Sequence, residues 1–156
     1  MRKKLLIDLI GGLLLALIVV VGYKLSPLLL PQSDVVVQPE AACDLQARDC
    51  AVNLPQGGKI IFSLGAQPVP LVKPFAVTLR SEGVAPARVE VDFEGVEMKM
   101  GFNRPQLQAR GPGEFVGEAT LPVCITGGML WQATVLLEVA GQRIAIPFLF
   151  DTGRGH

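Results

Sequence analysis

The sequence predicts an all-β domain carried behind a single membrane-spanning helix. Three observations lead there. An apolar run opens the chain; short β-rich segments recur about every ten residues beyond Leu54, punctuated by Gly, Pro, Asn and Asp; and none of these later segments carries an apolar stripe at helical spacing. With 156 residues the chain has room for one domain and an appendage. Its 50% hydrophobic and 18% charged residues mark a globular or membrane-associated protein and not a disordered one.

The opening, "MRKKLLIDLIGGLLLALIVVVGYKL", places Arg2, Lys3 and Lys4 ahead of about 18 mostly apolar residues, the length a helix needs to cross the hydrocarbon core. Basic residues on that side keep residues 1–4 in the cytoplasm and export the chain beyond the anchor at 5–24. Asp8 lies early enough in the run to stay hydrated near the interface. No small-x-small cleavage site comes after the run. The one lipobox-like spot, "PEAAC" at Cys43, has Glu40 where a large aliphatic residue is wanted, and it comes too late. The expectation is an uncleaved, single-pass anchor in an inner membrane, with the C-terminal part in a bacterial periplasm. Of the 14 basic residues four flank the anchor, leaving 10 Lys/Arg against 13 Asp/Glu from Leu25 onward. A mildly acidic exported part offers no basic face for phosphates, so nucleic acid is excluded as a partner.

Residues 25–53 read as a Pro-rich tether containing Cys43 and Cys50, because Pro breaks "SPLLLPQSDVVVQPEAA" into pieces without periodicity. The β domain is expected over 54–151, with 152–156 as a tail. "KIIFSL" and "PFAVTLRS" are its first strands. In "ARVEVDFEGVEMKM", Val89, Val91 and Phe93 face one way and Glu90, Asp92 and Glu94 the other. After Gly95 the apolar parity slips by one to Val96, Met98 and Met100, which predicts a β-bulge at Gly95 inside one long strand. "GEFVGEATLPVCI" and "MLWQATVLLEVA" flank Thr126-Gly127-Gly128, a hairpin signal, and Gly141 sets off "RIAIPFLF". About seven strands without helices pack most naturally as an immunoglobulin-like β-sandwich.

The chemistry-bearing residues are sulfurs. The single histidine is His156 at the last position, and no phosphate loop, HExxH or CxxC occurs, so an enzyme is not expected. Met98 and Met100 would share a strand face with their Cβ atoms about 7 Å apart. Thioethers and thiolates are soft ligands that suit Cu(I) better than Zn or Mg. With Gly127-Gly128 as a two-residue turn, Cys124, Thr126, Met129 and Trp131 would share one hairpin face, putting Cys124 and Met129 within reach of the same ion. The competing reading is that Met fills core gaps, that Cys is commonly buried, and that Trp131 is an ordinary core aromatic. Three cysteines in an oxidising compartment allow a Cys43–Cys50 staple with Cys124 left over, or a redox pair that serves metal loading.

An N-terminal anchor, a Pro-rich tether and "VEMKMGFNRPQL" followed by "GPGEFVGEATLPVCITGGMLWQATV" together resemble the membrane-anchored FixH-like and YtkA-like proteins. The likeness runs from about Val89 to Val139: a Met-containing segment, then Gly-x-Phe-x-Gly, then Gly-x-x-Trp. It implies an immunoglobulin-like fold and a part in copper handling and cytochrome oxidase assembly, with a respiratory oxidase or its assembly factors as partners. Met98 and Met100 match the Met-rich segment and Trp131 the hairpin Trp. Where such proteins often carry a His after the methionines, this chain has Gly101-Phe102-Asn103, so the ligand set is expected to be all sulfur and the metal Cu(I). The expected site is Met98, Met100, Cys124 and Met129, walled by Trp131 and Phe102. Two alternatives are a metal-free interaction module and a thiol-disulfide assembly helper using Cys43 and Cys50.

Overall fold

The computed structural model describes residues 2–29, 33–39, 43–98, 101–122 and 128–152. They form two compact units, residues 1–32 and residues 33–156. The first holds the helix α1 (Arg2–Leu29), whose 18-residue window Ile7–Lys24 has a mean hydropathy of 2.1, long and apolar enough to cross a membrane.

The second unit is mostly β, with nine strands in two sheets among the described residues. They are β1 (Val35–Val36), β2 (Cys50–Asn53), β3 (Lys59–Leu64), β4 (Phe75–Glu82), β5 (Arg88–Gly95), β6 (Gln108–Gly111), β7 (Glu114–Ala119), β8 (Leu130–Val139) and β9 (Gln142–Asp151). The first sheet has the order β1-β9-β8-β5 and the second β2-β3-β4-β7-β6. Alternation drives both: along β8 every second residue from Trp131 to Val139 is buried, and β3 buries Ile60, Phe62 and Leu64. The buried faces meet in one core. Phe62 on β3 stacks on Phe148 of β9 with centroids 5.3 Å apart, and Phe75 on β4 meets Phe93 of β5 edge-on at 6.0 Å. β8 and β9 are joined by Ala140-Gly141, both at positive φ (50° and 79°), as a primed hairpin turn requires.

Four expectations are corrected. The strands among the described residues number nine, because β1, β2 and β6 are pieces of two, four and four residues, too short to declare a period in the sequence. Two of these come from the segment read as tether: β1 runs parallel to β9, β2 pairs with β3, and Leu45 and Cys50 are fully buried. The long strand with a bulge at Gly95 does not form. β5 ends there because its partner β8 begins at Leu130; after the bond from Val96 N–H to Leu130 O at 3.0 Å no ladder remains, and the chain turns outward. Val96 and Met98, expected inside, are each 50% exposed.

The expected hairpin does not join β7 to β8, which lie in different sheets; residues 123–127 of its turn lie outside the described residues. β7 is bonded on both sides, by β4 and β6, and β8 on both sides, by β5 and β9, so neither has an edge for the other. Trp131 pairs with Gly95 on one side and Phe150 on the other, and Cys124, its expected partner, lies outside the described residues.

The far edge of β5 is covered by the chain beyond the turn. Phe93 N–H donates to Asn103 O (2.9 Å), Val91 N–H to Pro105 O (3.1 Å) and Leu107 N–H to Val89 O (2.9 Å). Pro105 serves here because only its carbonyl is needed. This strip pins the loop that carries the methionines at its downstream end.

Candidate functional site

The site is built around one end of the first sheet, where β5 stops, β8 starts and β9 ends. Gly95 pairs with Trp131 across the β5–β8 ladder, both inward. A Cβ placed on Gly95 would lie 2.5 Å from the Met98 carbonyl oxygen, 2.7 Å from Met129 Cε and 3.2 Å from Met129 Sδ. The absent side chain thus makes room for two things: the main chain of Met98 folding back, and the thioether of Met129. Glycine is required by close approach and not by its dihedral angle.

Met129 is held from both sides. It is 3% exposed, with its sulfur against Gly95. Thr152, just past β9, donates its backbone N–H to Met129 O at 3.1 Å and its hydroxyl to the same oxygen at 3.3 Å. The Thr152 hydroxyl also accepts the Trp131 indole N–H at 3.1 Å, which satisfies the polar atom of an otherwise buried ring. Thr152 lines a cleft of about 730 Å³ with Asp44, Gln46, Val69, Leu71 and Asp151, so solvent reaches Thr152 while Met129 behind it stays buried.

Gln46 ties the same end together. Its side-chain amide donates to Asp151 O (3.0 Å) and its carbonyl oxygen accepts the Val69 N–H (2.9 Å). Gln46 lies between Cys43 and Cys50, which are joined by a disulfide; Cys50 is fully buried and Leu45 fills the core.

Met98 sits on the turn after β5, half exposed. Phe102 stands 83% exposed, with the Arg104 guanidinium 5.1 Å from its ring centroid and Arg104 in turn bonded to Asp92 at 2.7 Å. Met100 and Cys124 lie outside the described residues, as does His156. Of the expected site, then, Met98, Met129 and Trp131 share the end of the first sheet, and Phe102 stands on the loop that leaves it. The residues that sequence reasoning missed are Gly95 as the meeting point and Thr152 as the clamp. The Gly95 signal was visible as a parity slip. Nothing local marks Thr152.

Among the described residues no three His, Cys, Asp or Glu side chains are grouped to hold a metal. No protein-family model matches the sequence, and no curated protein or solved structure matches it either.

Proposed function

We propose that this chain is a single-pass inner-membrane protein whose periplasmic domain, an immunoglobulin-like sandwich, binds Cu(I) as cargo and passes it on. The observation that carries the reading is that the main chain of Met98 and the thioether of Met129 both pack against Gly95. A methionine retained for packing alone belongs in the core, yet Met98 is half exposed on a turn folded against the glycine that receives the Met129 thioether. Met129 is the retained ligand and Met98 the accessible one, with Met100 and Cys124 completing an all-sulfur set. Soft ligands favour the cuprous ion. Transfer proceeds by exchange of one ligand at a time: a thioether binds and leaves without a proton, and the Cys124 thiol gives its proton to solvent when it takes the metal as thiolate, so the exchange needs no catalytic base and the chain acts as a carrier and not as an enzyme. The setting in respiratory oxidase assembly rests on the resemblance of residues 89–139 to FixH-like and YtkA-like proteins. The Cys43–Cys50 disulfide is assigned to stability, since its Cys50 sulfur is buried and its loop fills the core.

X-ray absorption at the copper edge on the Cu(I)-loaded full chain in detergent tests the ligand set. The expected spectrum is a sulfur-only first shell that loses one scatterer in Met98→Leu. A shell dominated by nitrogen or oxygen overturns the proposal. The metal-free interaction module is favoured instead by one observation, the 83% exposure of Phe102; it predicts no copper uptake at all.

A further inference from the structure

The outward face of the first sheet is built like an interface. Its register places residues in rows across the strands. Val36, Ala145, Leu136 and Glu90 form one row, Pro147, Thr134 and Asp92 the next, then Leu149, Gln132 and Glu94. Val96 comes next beside Leu130, to whose carbonyl it is bonded. On a solvated sheet face these positions would be polar. Here Val36, Leu136, Pro147, Leu149, Leu130 and Val96 make it apolar, with Val36 59%, Leu149 53% and Val96 50% exposed.

The β5 side of the apolar field is acidic. Glu90, Asp92 and Glu94 line the outward side of β5. Arg88 neutralises Glu90 at 2.6 Å and Arg104 neutralises Asp92 at 2.7 Å. Glu94 makes no ion pair among the described residues, and it borders a cleft of about 340 Å³ whose other walls are Gly95, Val96 and Gln132. A concave spot with one uncompensated carboxylate, at the margin of an apolar field, is complementary to a single cation flanked by apolar groups.

We propose that this face docks a protein partner that presents an apolar ridge and a Lys or Arg, the cation entering the cleft at Glu94. Charge selects this occupant over two others. Anionic lipid headgroups would be repelled by Glu94 and by Glu97 beside it. A second copy of the chain offers Arg88 and Arg104 on the same face, both already engaged, and Arg143, which stands opposite Glu138 and beside Asp34. The inference stands independently of whether the methionines take copper.

The test is selection of a displayed random peptide library on the full chain in detergent micelles. Enriched peptides are expected to combine apolar residues with Lys or Arg and to bind saturably. Leu149→Asp and, separately, Glu94→Lys should each weaken them by about tenfold or more, and Glu94→Lys should shift the selected charge to Asp or Glu. Both positions are exposed, and matched unfolding midpoints establish that the variants are folded. Absence of enrichment, enrichment without a charge preference, or binding that survives Leu149→Asp overturns the proposal. So does binding of anionic vesicles, or self-association in sedimentation, abolished by Leu149→Asp, since each assigns the face to a different occupant.

Discussion

A methyl group added at Gly95 would strike a backbone oxygen, the Met98 carbonyl, as well as the flexible end of Met129. The thioether can swing aside, but the carbonyl is fixed by the turn. Gly95→Ala is therefore expected to destabilise the domain by about 1–3 kcal/mol, the usual cost of overpacking a filled site, measured by denaturant unfolding. Met98→Leu should behave in the opposite way. Its side chain is half exposed, so stability should stay within about 0.5 kcal/mol while Cu(I) affinity falls. At this scale the sequence was partly legible. The parity slip at Gly95 is real, but it has two physical solutions: a bulge that keeps the strand going, or an ending. Which one occurs depends on how far the partner strand extends, and that is set at Leu130, far along the chain.

Strands that bury alternate residues announced themselves: β3, β4, β5, β8 and β9 all lie where apolar alternation placed strands. β1 and β2 did not, because they hold two and four residues inside a Pro-rich, aperiodic stretch. Their pairing is supported by long-range groups instead: the disulfide, Leu45 in the core, and the two bonds of Gln46. The Cys43–Cys50 bond closes a short loop, with a sequence separation of 7. Restricting the unfolded chain over such a loop contributes about 2–3 kcal/mol. Replacing both cysteines by Ala should lower the unfolding free energy of the domain by that amount, and reductant should do the same to the native protein but leave the variant unchanged. An equal response of the two proteins to reductant would contradict the assignment.

At the scale of the whole molecule the apolar helix and the β-rich domain were both predicted from patterning, whereas the order of strands was not. A Gly-Gly pair between two strands is a local hairpin signal, but here both flanking strands already have two neighbours each, and the chain crosses between sheets. That arrangement puts Gly95 opposite Trp131, while Cys124 lies outside the described residues. It leaves Met129 at the mouth of the first sheet, where the turn after β5 brings Met98 back. The proposed copper site is thus assigned to the assembled sheet end and to no single motif. The most direct measurement is an anaerobic Cu(I) titration of the full chain in detergent against a competing chelator, beside the Met98→Leu/Met129→Leu double variant. Leu keeps the volume and removes the sulfur. The expected result is one-to-one binding that weakens by at least about tenfold in the variant. Absence of binding, or binding that the double change leaves intact, would contradict it and return both methionines to packing.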